Sequence, residues 1–236
     1  MAHLAQYFAV DRVVADDLGP RYNVAPTEDV YAVAVRDDET RLGVLRWGLV
    51  PGWAHSPAVG SRMINARAET LLDKRAFRQP FARRRCLVPA DGFYEWQAGE
   101  GGAAKQPWYL PSADGSPLAF AGLWDTWRPH GQRRTAGDSE VGRLVSCTVV
   151  TTDASESLMS IHPRMPVILP VEAWARWLDP AYDDVEELRG LLVTAPEGTV
   201  VPRKVCLLVN AVANDGPALV EPLGGVPPVE EAAAVG

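Results

Sequence analysis

An asparagine, a glutamate and a histidine follow one another along this chain, each inside a stiff and distinctive frame. They are Asn65 in Met63-Ile64-Asn65-Ala66-Arg67-Ala68-Glu69, Glu95 in Gly92-Phe93-Tyr94-Glu95-Trp96, and His162 in Ile161-His162-Pro163-Arg164-Met165-Pro166. Gathered by a fold, an amide, a carboxylate and an imidazole make a proton-transfer site with an orienting hydrogen-bond donor. The aromatic neighbours of Glu95 disfavour its charged form and move its pKa towards the working range. His162 is of the type that titrates near neutrality, and Pro163 and Pro166 limit its backbone freedom. The amide of Asn65 both donates and accepts. Each residue also has a plainer role when read alone. Asn65 would be a turn residue, Glu95 a solvent-facing strand residue, and His162 a buried histidine satisfied by a backbone carbonyl.

Further pieces stand beside these frames: Arg21-Tyr22-Asn23-Val24-Ala25-Pro26-Thr27, Arg46-Trp47-Gly48-Leu49-Val50-Pro51-Gly52-Trp53 and Thr151-Thr152-Asp153-Ala154. In this order, from Tyr7 to near Pro222, they resemble the SRAP family (SOS response-associated peptidase). The resemblance implies one SRAP domain over residues 1–222, an abasic-site sensor that binds single-stranded DNA and processes its own amino terminus. It implies Asn65, Glu95 and His162 as the catalytic set. In the family an N-terminal cysteine supplies an amine, which attacks the sugar aldehyde as a Schiff base, and a thiol, which closes a thiazolidine ring. The family pattern begins Met-Cys-Gly-Arg, a short strand ahead of the first helix. Here Met1-Ala2-His3-Leu4 leads straight into that helix, so the domain is expected to lack its first strand and its nucleophile. Either the true start lies upstream, or this copy kept the groove and lost the covalent step and binds single strands non-covalently. Ser155 also replaces the Asn that usually follows Thr-Thr-x-Ala. A general peptidase has weak support, because no Ser-His-Asp or Cys-His arrangement with a supporting motif is visible.

Capture of single-stranded DNA needs contacts that ignore base identity, namely phosphate charge and stacking. Arg67 and Arg164 are candidates for phosphate, each lying beside a site residue. Trp47 and Trp53 flank a glycine- and proline-bearing loop and offer stacking surface, although tryptophan is often a core residue. Asn23 and Pro26 lie in a loop suited to wedging the strand, and Thr151 and Thr152 are candidate phosphate donors. The net charge of −7 argues against coating nucleic acid by bulk attraction, but leaves room for a local groove. Basic residues do concentrate at Arg62, Arg67, Lys74, Arg75, Arg78, Arg83, Arg84 and Arg85.

These residues must be positioned by a fold of ordinary globular composition, 47% hydrophobic and 22% charged over 236 residues. No apolar run approaches the roughly 18 residues of a membrane span, and the first residues have no secretory character. A cytoplasmic monomer is expected. Cys86, Cys147 and Cys206 read as reduced core residues, and with four scattered histidines they form no metal-ligand spacing, so neither metal nor cofactor is expected. Helical spacing covers Leu4–Val10, Val171–Leu178 and Asp184–Leu192, and Arg67–Arg78 reads as a helix stopped before Pro80. Strands are expected at Val30–Val35, Leu42–Trp47, Cys86–Val88, Gly92–Trp96, Trp108–Leu110, Leu118–Leu123, Leu144–Thr151 and Val205–Val209. Arg128–Gly142 reads as a surface loop and 223–236 as a disordered tail. The site residues span the middle of the chain, so a single α+β domain is expected, a strongly bent, mostly antiparallel sheet or open barrel with short flanking helices.

Overall fold

The computed structural model describes residues 1–129 and 142–224. The expected surface loop and frayed tail lie almost wholly outside these residues. Along the chain the elements are α1 (Ala2–Tyr7), β1 (Arg12–Val13), β2 (Asp29–Arg36), β3 (Glu39–Trp47), β4 (Asn65–Arg67), α2 (Arg75–Arg83), β5 (Arg85–Ala90) and β6 (Gly92–Gln97). There follow β7 (Gln106–Pro111), β8 (Leu118–Trp127), β9 (Leu144–Asp153), β10 (Arg164–Pro166), α3 (Val171–Leu178), α4 (Val185–Gly190) and β11 (Arg203–Lys204). This is the α+β class expected from the sequence.

The β2–β3 hairpin shows how local chemistry sets register. Arg36 pairs with Glu39, leaving Asp37 and Asp38 as a two-residue turn with φ of 53° and 59°. Such a turn needs positive φ at both positions, which aspartate tolerates better than most residues. From β3 the ladder runs through β2, β5, β8 and β9. It then returns to β3 through a short parallel pairing, Arg46 with Ser146 and Trp47 with Cys147. Five strands therefore close into a ring, a step beyond the open barrel expected.

Side chains alternate across strands, so the ring sorts them into two sets. One set, with Ala32, Cys86, Val88, Phe120, Cys147 and Val149, fills the interior. The other, with Val33, Leu42, Leu87, Ala121, Leu123 and Val150, lies outside and is covered by α2 and α3. Phe81 of α2 and Trp177 of α3 meet edge to face at 6.0 Å. The indole of Trp177 donates to the Cys86 carbonyl at 2.9 Å, tying α3 to the ring. The buried Arg85 donates to the carbonyls of Phe81, Ala82, Trp177, Asp179 and Tyr182. It thereby satisfies carbonyls left open where α2 and α3 end.

A second, three-stranded sheet of β6, β7 and β11 packs against the ring. Phe93 and Leu110 form a cross-strand pair that joins the interior cluster. The opposite face presents Tyr94, Trp96 and Tyr109 to Val205, Val209 and Leu219 near the C-terminus.

Three expectations change. The helix expected over Arg67–Arg78 begins only at Arg75 and runs on to Arg83 with Pro80 inside it. Residues Asn65–Arg67 are drawn into strand pairing with β9 instead. A proline inside a helix costs about 3 kcal/mol or more, and here Pro80 is buried with Ala76, Phe77 and Phe81 on the packed face. The strand expected at Val205–Val209 is a 3-10 turn over Leu207–Asn210. Val205 and Val209 are buried while Leu207 and Leu208 stand out in solvent, a spacing of four that belongs to a helical turn. Cys206 is accordingly half-buried, whereas Cys86 and Cys147 are core thiols.

Inside the ring Gly122 lies opposite Cys86. A Cβ there would sit 2.8 Å from the Cys86 Sγ and 3.1 Å from the Val88 Cγ2. Gly122→Ala is expected to destabilise the fold by about 1–3 kcal/mol, read from the denaturant midpoint. Adding Cys86→Ala should recover part of that loss, and no recovery would show that the contact is not the cause.

Candidate functional site

Strand β9 pairs along both edges. On one edge lie β3 and then β4; on the other lie β8 and then β10. Directly paired residues share a face, so Asn65 goes with Val149, Arg67 with Thr151, and Arg164 with Asp153. Cys147 and Val149 on this face fill the ring interior. Continuing up the same face, Thr151 and Asp153 come to one end of the ring, together with Asn65, Arg67 and Arg164. Asn65 and Arg67 are exposed there. Two of the sequence frames thus meet across a single strand.

Glu95 arrives from the small sheet. It shares a face of β6 with Phe93, whose ring packs edge to face on Phe120 at 5.9 Å. Gln97, next on that face, donates to the Ser160 carbonyl at 2.9 Å and so holds β6 against the segment leading to His162. The outcome is a contact of 3.4 Å between Glu95 Oε1 and His162 Nδ1. Phe93, Leu110, Leu158 and Ile161 form the apolar side of the same small hollow. Burial raises the Glu95 carboxyl above its ordinary value; His162, the Trp96 N–H and Lys105 pull it partly back. A carboxyl held nearer neutrality beside an imidazole can pass a proton in either direction.

His162 is held by its own chain as well. The Arg164 carbonyl lies 3.0 Å from Nδ1, and the Arg164 N–H points at the same nitrogen from 3.2 Å. A proton on Nδ1 has two acceptors, this carbonyl and the Glu95 carboxylate; without it, Nδ1 accepts from Arg164. The plain reading of a histidine satisfied by a carbonyl and the functional one therefore hold together, in a ring whose side chain is 38% exposed.

The other residues singled out from sequence divide into two groups. Trp47 is partly buried against the interior cluster, with its indole donating to the Ile64 carbonyl at 2.9 Å. Trp53 is 46% exposed, and the Arg75 guanidinium stacks over it at 5.0 Å. The Asn23 amide reaches the carbonyls of Val209, Ala211 and Asn214, fastening its loop to the C-terminal segment, while Pro26 beside it is exposed. Thr151 and Thr152 are both buried and, as strand neighbours, point to opposite faces, so only Thr151 looks towards the site. Arg164 is largely internal, donating to Glu69, Asp153 and the Thr151 carbonyl. Glu69 was not singled out from sequence, although it closes the Asn65 frame; its partner lies 95 residues away. Of the remaining basic residues, Arg84 pairs with the buried Asp125 and Arg85 is buried, whereas Arg62, Lys74, Arg75, Arg78 and Arg83 are exposed.

The sequence pattern of the family described as SOS response associated peptidase (SRAP) matches residues 1–212. The chain is 37% identical over 219 residues to the abasic site processing protein YoqW of Bacillus subtilis (strain 168), spanning 92% of this chain and 93% of that one. It is 32% identical over 223 residues to the abasic site processing protein YedK of Escherichia coli (strain K12), spanning 91% and 90%. To the abasic site processing protein HMCES of Gallus gallus it is 34% identical over 247 residues, spanning 91% of this chain and 70% of that protein. A crystal structure of a protein from Bordetella bronchiseptica superposes with a TM-score of 0.68 at 27% identity, covering 87% of this chain and 95% of the other. With closed-ring fold, ordered frames and relatives in agreement, this chain belongs to the SRAP family.

Because the Glu95 carboxyl binds its proton more tightly when folded, its ionised form subtracts stability above the ordinary carboxylate pKa and subtracts nothing below it. Glu95→Gln should therefore match the natural chain at about pH 4 and melt at an equal or higher temperature by about pH 7. The difference should grow as pH rises. A Gln variant that is less stable at neutral pH would mean that pairing with His162 outweighs the cost of burial.

Proposed function

We propose that this chain recognises abasic sites in single-stranded DNA and that the end of the ring bearing Asn65, Glu95 and His162 handles the opened sugar. The observation that carries the reading is the 3.4 Å Glu95–His162 contact, beside the end of the ring where β4 brings Asn65 and Arg67 and β10 brings Arg164. Relatives covering nine-tenths of the chain are named abasic site processing proteins, which supports the same substrate.

An abasic deoxyribose equilibrates between a closed ring and an open-chain aldehyde. Glu95, whose carboxyl burial raises above its ordinary value, can give the ring oxygen a proton as the ring opens, and His162 can take and return protons at the carbonyl oxygen. An amine that adds to the aldehyde carbon loses water to leave an imine. A thiol on the same residue can add across the carbon–nitrogen double bond, the nitrogen taking the proton, to close a thiazolidine. Asn65 can hold the sugar or the ring product through its amide.

That covalent step needs an N-terminal cysteine. Burial raises the Cys86 thiol well above its ordinary value and pushes Cys147 up to about 12, so neither is a nucleophile at neutral pH. Cys206 sits in the C-terminal segment and, like the others, has no free α-amine. Met1 packs against the outer cluster, on the face of the ring opposite the interior. None of these three cysteines can supply both the amine and the thiol of the covalent step, which calls for a cysteine at the head of the domain.

For DNA the exposed cations Arg67, Arg62, Arg75 and Lys74 and the exposed Trp53 supply charge and stacking without regard to base identity. Fluorescence anisotropy with abasic and intact single strands tests the reading. Abasic strands should bind more tightly, affinity should fall steeply with salt, and Arg67→Gln should reduce the salt slope by about one. The chain as it stands should give no heat-stable adduct, and the same chain preceded by Met-Cys-Gly-Arg should give one. Equal affinity for intact and abasic strands would favour a non-covalent single-strand binder, and no affinity for either would sink the proposal.

A further inference from the structure

We propose that Lys204, laid on the ring of Trp108, holds a phosphate of the nucleotide on one flank of the abasic sugar, so that the small sheet forms a second wall of the DNA site. The proposal rests on the reading above, in which the sugar is received at the Glu95–His162 contact. Lys204 pairs directly with Trp108, and Trp108 with Glu95, so the three form one row across β11, β7 and β6. Directly paired residues share a face. The row therefore lies on the face that carries Phe93 and Gln97, which meets the ring and the segment leading to His162. Two strand spacings, roughly 10 Å, separate the backbone of Lys204 from that of Glu95.

A chain of contacts sets the lysine in place. Gln97 donates to the Ser160 carbonyl at 2.9 Å and accepts through Oε1 from the Trp108 indole at 3.2 Å. The indole is thereby fixed relative to the segment that carries His162. Its ring in turn holds the Lys204 ammonium 5.4 Å from the centroid. An ammonium drawn to an aromatic face keeps its N–H donors available to an anion. Lys204 is exposed and pairs with no carboxylate among the described residues. Because the cation covers the indole, Trp108 acts as a prop for charge and not as a platform for a base. Of the three lysines in the chain, Lys105 also lies by this sheet, where its charge pulls on the Glu95 carboxyl. Arg67 reaches the site from the ring and Lys204 from the small sheet, and the Glu95–His162 contact is where the two sheets meet. A strand with its sugar at that contact has the small sheet along one flank.

Anisotropy titrations of the full chain with abasic single strands, repeated over a range of salt, provide the test. Lys204→Gln should reduce the salt slope by about 0.7–1, the share of one phosphate, and Lys204→Arg should keep it. Arg203→Gln removes the same charge from the neighbouring residue of β11, whose side chain points to the opposite face, and should leave the slope unchanged. Two shortened strands end at the abasic sugar, one on its 5′ side and one on its 3′ side. The effect of Lys204→Gln should persist in one of them and vanish in the other, because the contact is to a single flank. An unchanged slope in folded Lys204→Gln, an equal effect from Arg203→Gln, or an equal effect of Lys204→Gln in both shortened strands would overturn the proposal. Melting curves establish that each variant is folded. Acetylation of the natural chain, read lysine by lysine by mass spectrometry, needs no variant: a bound abasic strand should slow modification of Lys204 severalfold, and no protection would equally overturn the proposal. Failure of the underlying reading would show differently, as no binding of abasic strands by the natural chain.

Discussion

A buried strand cannot leave its backbone N–H and carbonyl groups unpaired, and β9 is such a strand over most of its ten residues. Along one edge it takes β8 and then β10, and along the other β3 and then β4. The β3 contact closes the ring. The β4 and β10 contacts lie beyond it, where β3 and β8 no longer pair with β9. Alternation then decides which side chains turn inward, so that the face carrying Cys147 and Val149 in the interior carries Thr151 and Asp153 at the end. Asn65, Arg67 and Arg164 inherit that face from their partners. The placement of Asn65, Arg67 and Arg164 is thus a consequence of satisfying one strand, while Glu95 is brought to them by the small sheet.

Charge follows a similar logic. Arg85 and Asp125 are buried, and each is surrounded by partners that satisfy it: carbonyls at two helix ends for Arg85, and Arg84 with the Gly52 and Thr126 N–H groups for Asp125. Glu95 differs, because burial is compensated only in part by His162, and its proton is held more firmly for that reason. A carboxyl raised by burial beside an imidazole is a candidate for proton transfer. Exposed cations cluster on the segment from Arg62 to Arg83, with Arg75 over the Trp53 ring. A protein of net charge −7 can therefore still present a local basic groove to a phosphate chain.

The fold class was legible because β8, β9 and α3 carry clear patterns of apolar residues. The pairing of β4 was not, since three residues carry almost no periodicity and their partner is far away in sequence. Pro80 was read as a stop because proline disfavours helix interiors locally, whereas its burial beside Phe77 and Phe81 is a tertiary matter. Within the site, Asn65, Glu95 and His162 stood out through the stiffness of their frames. Asn23 looked like a ligand-facing polar residue, but its amide is occupied by three carbonyls of the C-terminal segment, about which local sequence says nothing. Glu69 escaped notice for the opposite reason, being a common surface residue whose partner is visible only in the fold. Thr151 and Thr152 were separable in principle, because adjacent strand residues cannot share a face.

The central claim is that the end of the ring defined by β4, β6 and β10 receives the abasic sugar between Glu95 and His162. A crystal structure of the chain bound to a short single strand carrying a tetrahydrofuran abasic analogue tests this most directly. The expected result is the analogue's sugar within hydrogen-bonding reach of His162 or Glu95, with Asn65 beside it and Arg67 near a flanking phosphate. A strand bound along another surface, or a sugar turned to solvent while intact bases fill this end of the ring, would contradict it.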